Sequence, residues 1–113
     1  VFTLAGDAFA SGRDSLTASA AAQVRALGTY LAALDARAVQ VSGHTDSQGD
    51  AQANRVLSER RAAAVRAGLV QAGLASARIA VQGLGASVPV ADNATPAGRA
   101  RNRRVEVVVA ENR

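Results

Sequence analysis

The segment GHTDSQGDAQANRVLSERRAAAV, residues 43 to 65, holds the side chains with most to offer a ligand: His44, Asp46, Asp50 and the adjacent Arg60 and Arg61. A carboxylate and a guanidinium on neighbouring elements can pair with each other. Set a little further apart, they can instead receive the ammonium and the carboxylate of a zwitterion. Asp46 follows an alternating stretch, AVQVSG at 38–43, that reads as a strand, and the arginines fall in a helical stretch that Asp50 can cap. In sheet proteins with helical crossovers, ligands collect at such strand ends.

Neighbours on a helix diverge by about 100°, so the two arginines cannot do the same work. With Leu57 set at zero, Arg61 lies at about 40°, Val65 at about 80° and Leu69 at about 120°, whereas Arg60 lies at about 300°. Asn54 and Ser58 fall in the same arc as Arg61, so the inner face is polar at 54, 58 and 61 and apolar from 64 onward. A guanidinium turned inward needs a partner, because an unpaired buried charge costs several kcal/mol. Asp46 is the nearest candidate by topology. At about 4 Å and an effective dielectric near 20 the two would attract by roughly 4 kcal/mol before desolvation. Periodicity leaves both a structural ion pair and a zwitterion site open.

Other patterns point to less. His44-Thr45-Asp46 could be a base with its orienting carboxylate, but adjacent strand residues face opposite ways and no nucleophile motif is present. A structural histidine is expected and no enzyme activity. The sequence has a single histidine and no clustered carboxylates, so no metal site or cofactor is expected. GLG at 83–85 lacks the rest of a phosphate loop and reads as a turn. RARNRR at 99–104 is basic, yet one tyrosine and two phenylalanines offer little to stack nucleic-acid bases on. No nucleic-acid partner is expected.

The elements that must position these groups follow from the pattern. VFTLAGDAF forms a short first strand; Thr17 caps a helix carrying Val24, Leu27, Leu31 and Leu34 on one stripe; 38–43 is the second strand. Asp50 opens a helix that runs to about Ala72, with Gly73 suited to the left-handed position beyond it. RIAVQG at 78–83 is a third strand, Thr95 and Pro96 start a short helix, and RRVEVVVAE is a final strand with Val105, Val107 and Val109 alike. The order β-α-β-α-β-loop-β predicts a two-layer sandwich with helices on one sheet face.

The 113 residues suit one domain, with 49% apolar content and a core of Val, Leu, Ile and Ala. No cysteine is present, which removes disulfides and thiolate chemistry, and the net charge of +4 rests on arginine alone. A basic surface favours anionic partners. No apolar run approaches the roughly 20 residues that cross a bilayer, and the strand-like start at Val1 suggests a domain cut from a longer precursor.

GHTD, Asn54 and LSERRA at their spacing, GLGASVPVADN, GRARNRRVEV and the opening TLAGDAFASGRDSL together resemble the OmpA-like C-terminal domain, over essentially the whole chain, 1–113. The resemblance implies an α+β fold, β-α-β-α-β-β, with a four-stranded mixed sheet in the order 1-4-2-3 and the last strand antiparallel. It implies non-covalent binding of peptidoglycan through the diaminopimelate residue of the stem peptide, anchoring the outer membrane of a Gram-negative cell to its wall. Asp46 and Arg61 match the family's grip on that zwitterion. Asn54, Leu57 and Thr45 match further contacts, as do Phe9, Ala10 and Ser11 after the first strand, where many members carry aspartate at the position of Ala10. A periplasmic domain follows, tethered to the outer membrane through a missing N-terminal lipid or barrel and making no membrane contact itself. The alternative is a MotB-like stator or interaction module in which dimerisation dominates. The first helix has no apolar stripe to spare on its outer side, so a monomer is expected.

Overall fold

The computed structural model describes residues 1–9, 13–34 and 38–110. In chain order it contains β1 (Phe2–Ala5), α1 (Ala18–Ala33), β2 (Ala38–His44), α2 (Ala51–Gln71), β3 (Ile79–Gly83), α3 (Pro96–Asn102) and β4 (Arg104–Ala110). The four strands form one sheet in the order β1-β4-β2-β3, with β2 and β3 parallel and β4 antiparallel to both β1 and β2. This is the α+β architecture and strand order that the resemblance implies.

Each helix starts where a side chain can accept from its orphan N–H groups. Thr17 Oγ1 accepts from Ala20 N at 3.2 Å, Asp50 Oδ2 from Ala53 N at 2.8 Å and Thr95 Oγ1 from Gly98 N at 3.0 Å. Gly73, at φ 115°, ends α2 in the left-handed region that a Cβ disfavours.

Alternation splits the sheet into two faces. Val39 and Val41 of β2 pair with Val109 and Val107 of β4 and with Ile79 and Val81 of β3, and this apolar face packs under α1 and α2 with Val24, Leu31, Val65 and Leu69. The opposite face carries polar residues: Gln82 Nε2 donates to Ser42 Oγ at 3.0 Å, and Arg104 binds Glu106.

The structure differs from the sequence pattern in three places. The first strand ends at Ala5; a tight turn over Gly6–Ala8 follows, and Phe9 pairs with Leu16 in an isolated bridge. Leu34, expected on the α1 stripe, is 54% exposed because the helix ends at Ala33 and no longer sets its side chain on the inner face. The outer side of α1 is also less polar than expected. Tyr30 is exposed and shares a shallow apolar groove with Phe2, Leu4 and Leu27 along the β1 edge.

Glycines let α2 press directly on the sheet. An added Cβ at Gly43 would lie 2.0 Å from the Ser58 carbonyl oxygen, and one at its β3 neighbour Gly83 would lie 2.5 Å from Glu59 N. The stretch of α2 around Ser58 and Glu59 therefore rides on the ends of two strands, and Arg61 follows within a turn, beside the end of the sheet.

Candidate functional site

Arg61 is 8% exposed, whereas Arg60 points away and lines a separate groove between α1 and α2 beside Arg25 and Asp14. The inward turn that the helix arithmetic predicts is thus observed, as is the polar-to-apolar change along α2: Ser58 and Arg61 are buried, then Ala62, Val65 and Leu69. Arg61 Nε donates to the Arg13 carbonyl at 2.9 Å, and its guanidinium carbon lies 4.9 Å from the centroid of the Phe9 ring. One donor and one face are thereby committed to holding the side chain still. The two terminal nitrogens make no hydrogen bond among the described residues. Burial first, and the Arg103 guanidinium second, push Arg61 below its usual value, while Asp14 pulls the other way.

Asp46 is buried at the end of β2, where the chain leaves the sheet. Its Oδ1 accepts from Gln48 N at 2.9 Å, and its Oδ2 accepts from Arg103 Nη1 at 2.5 Å. The internal pair of Asp46 is thus with Arg103, and no ion pair joins Asp46 to Arg61 among the described residues. Of the two readings left open by periodicity, a direct Asp46–Arg61 bridge is not what the fold builds. The two charges instead stand apart in the wall of an open cleft of about 740 Å³, lined by Ala5, Gly6, Asp7, Phe9, Asp46, Gln48, Arg61, Ala100 and Arg103. Its size lies within the range of small-molecule sites.

The other sequence candidates are placed as follows. Phe9 is buried at the cleft and meets Arg61 face-on. Ala10 and Ser11 lie outside the described residues. Thr45, Asn54 and Leu57 do not line the cleft. Thr45 Oγ1 donates to the Asp46 carbonyl at 2.9 Å, and Asn54 Nδ2 donates to the Gln48 carbonyl at 2.7 Å, so both brace the turn that presents Asp46. Leu57 is half-buried next to Ser58, whose hydroxyl accepts from Gly85 N at 3.1 Å and ties α2 to the loop after β3. His44 is not among the cleft residues. It is buried 4.0 Å from Glu106 Oε2 with neither ring nitrogen hydrogen-bonded among the described residues. Burial, then Arg104, lower its pKa from the usual 6.5, opposed by Glu106.

Sequence reasoning missed Arg103 and Asn102. Asn102 is fully buried; its Oδ1 accepts from Val90 N and Ala91 N at 2.8 and 3.0 Å and its Nδ2 donates to the Ala91 carbonyl, which pins the long loop before α3. Arg103 and Arg104 straddle the start of β4 and so diverge: Arg103 goes to the cleft, and Arg104 is buried among Glu106 and the carbonyls of Asn102 and Val88. The available signal was the RR doublet at a strand start, read with a two-residue period.

Comparison with known proteins shows the family to which this fold belongs. The chain is 45% identical over 101 residues to the outer-membrane lipoprotein YfiB of Pseudomonas aeruginosa, covering 89% of this chain and 60% of YfiB. The chain therefore spans somewhat under two thirds of that relative's length. Among solved structures, the peptidoglycan-associated lipoprotein from Burkholderia pseudomallei superposes with a TM-score of 0.84 at 29% identity, covering 96% of this chain and 89% of that one. The cell wall anchor of the T6SS from Pseudomonas aeruginosa gives 0.86 at 34% identity, covering 97% and 80%. Residues 8–103 match the OmpA family, a range that takes in Phe9, all three helices, Asp46, Arg61 and Arg103. The chain belongs to the OmpA family.

Proposed function

We propose that this domain binds peptidoglycan non-covalently in the periplasm, by the free zwitterionic end of the diaminopimelate residue in the stem peptide, and so anchors an outer-membrane protein to the wall. The observation that carries the reading is the cleft in which Asp46 and Arg61 stand apart rather than paired. The terminal nitrogens of Arg61, unbonded among the described residues, take the ligand's carboxylate through charge-assisted hydrogen bonds, and Asp46 takes its ammonium. Phe9 and the Arg13 carbonyl hold the guanidinium in advance, which lowers the ordering cost of binding. The names of the relatives, a peptidoglycan-associated lipoprotein and a cell wall anchor among them, point the same way.

No bond is made or broken in this reading; the domain grips and releases. Many copies meeting many stems on one polymer, each tethered close to it, turn a weak single contact into firm retention. An amide NMR titration with free diaminopimelate tests the assignment. Shifts are expected at residues 9–11, 44–48 and 54–61, and a response concentrated elsewhere would remove the site. The second reading, a dimerising stator-type module, draws on the apolar groove along β1 and α1. Sedimentation of the domain as a monomer at high micromolar concentration counts against it.

A further inference from the structure

The polar face of the sheet buries an imidazole without a hydrogen-bond partner among the described residues. His44 ends β2 with its side chain 3% exposed and both ring nitrogens unpaired. Buried polar groups in folded proteins are nearly all paired, so this exception calls for a cause. In the β2–β4 register His44 lies opposite Arg104, and Ser42 lies opposite Glu106. That brings His44 Nε2 to 4.0 Å from Glu106 Oε2, the same oxygen that receives Arg104 Nε. The other two nitrogens of Arg104 donate to the backbone, Nη1 to the Asn102 carbonyl and Nη2 to the Val88 carbonyl, each at 3.1 Å. Arg104 is therefore a strap: Glu106 fixes its charged head, and the head holds the segment 84–95 to the sheet at Val88. Apolar packing adds little there, because Val88 and Val90 are both exposed.

We propose that His44, Glu106 and Arg104 form a proton-operated latch on the segment 84–95: a proton on His44 draws Glu106 away from Arg104, and Arg104 then releases Val88. The latch lies on the far face of the sheet and does not depend on the peptidoglycan reading. The charged groups that act on His44 are Arg104 and Glu106, both on β4. On the neighbouring strands Ser42 and Gln82 are neutral and bonded to each other, and α2 packs against the opposite face at Gly43. Asp46, two residues on, is committed to Gln48 N and Arg103. While His44 is neutral, Glu106 serves Arg104 alone. Once His44 is protonated both ring nitrogens are donors, and two cations share one carboxylate in a site closed to water. That arrangement is unfavourable until one of them reaches solvent. The tie that yields is the bond from Arg104 to the Val88 carbonyl, since it holds an exposed segment and not a strand. While the segment is closed, burial first and Arg104 second hold His44 below its usual 6.5; opening lets in water and moves it back toward that value. The closed form is therefore fully favoured above pH of about 6.5 and loses ground as pH falls below it.

Amide hydrogen exchange of the whole domain, followed by NMR from pH 7.5 to 5 and corrected for the intrinsic pH dependence of exchange, tests the latch. Val90 and Ala91 report on the segment, because their amides donate to Asn102 Oδ1. Val41 and Val107, paired in the buried sheet, report on opening of the whole domain. Below pH of about 6.5 the opening seen at Val90 and Ala91 is expected to rise by up to about tenfold per pH unit and to stay ahead of that at Val41 and Val107. In His44→Gln the opening of the segment should be independent of pH. A flat wild-type profile at Val90 and Ala91, rates equal to those of Val41 and Val107 throughout, or the same pH response in His44→Gln overturns the proposal. Should His44→Gln fail to fold, the wild-type domain supplies a second check: the His44 ring-nitrogen shifts and the Val90 amide shift, followed down to a pH of about 4, should share one midpoint. Separate midpoints also overturn the latch and leave His44 as a buried structural histidine.

Discussion

Arg60 and Arg61 sit on a helix, Arg103 and Arg104 at the start of a strand, and each doublet sends one guanidinium into the cleft while its neighbour goes elsewhere. The neighbours' fates differ. Arg60, rotated about 100° on α2, reaches solvent and a shallow groove. Arg104, across the two-residue alternation of β4, is thrown to the far face of the sheet and buried there, bonded to Glu106 and to the carbonyls of Asn102 and Val88. The helical doublet thus places one charge in the cleft and exposes the other, whereas both members of the strand doublet are ion-paired, Arg103 with Asp46 and Arg104 with Glu106. The cleft thus takes one arginine whose neighbour is exposed and one whose neighbour is buried on the opposite face of the sheet.

The comparison breaks most sharply at Arg104. Replacing it with alanine strands Glu106 and two backbone carbonyls, and a loss of about 3 kcal/mol in urea unfolding is expected. A loss under about 1 kcal/mol would mean the far face is not as dependent on that cation as its burial implies. Arg61→Ala comes next and acts on binding, not folding. Retention on isolated sacculi should weaken by about 2 kcal/mol per site, while unfolding stability stays level or rises because a desolvated cation is removed. Loss of fold in this variant would merge the two doublets into one structural class.

A smaller effect sharpens the far face. His44 is held below its usual pKa by burial and by Arg104, so the unfolded chain takes up the proton first. Its contribution to stability is complete above pH of about 6.5 and is lost as pH falls through that value toward the depressed folded one, with a slope of at most about 1.4 kcal/mol per pH unit. Thermal melts from pH 7.5 to 5 should show the decline, and His44→Gln should flatten it. Smallest of all, Arg60→Ala should change neither stability nor retention by more than about 0.5 kcal/mol; a clear loss of retention would give the helical doublet two working members.

The elements were legible because their signals are local. Thr17, Asp50 and Thr95 each announce a helix start by residue type, and the valines of β2 and β4 declare their inner face by alternation. Leu34 misled because a stripe does not say where the helix stops. The inward turn of Arg61 was legible too, since one rigid helix carries it and the apolar residues that orient it.

Composition, periodicity and the motif GHTD with LSERRA determined the fold class, the family and the side of α2 on which the cation lies. Tertiary structure alone decided that Asp46 pairs with Arg103 and not Arg61, that Phe9 lies under the Arg61 guanidinium, and that a carbonyl at Arg13 fixes it. The reason is chain separation. Arg103 lies 57 residues from Asp46 and Arg13 lies 48 from Arg61, so each contact exists only once β4 has inserted between β1 and β2 and α2 has settled on its glycines.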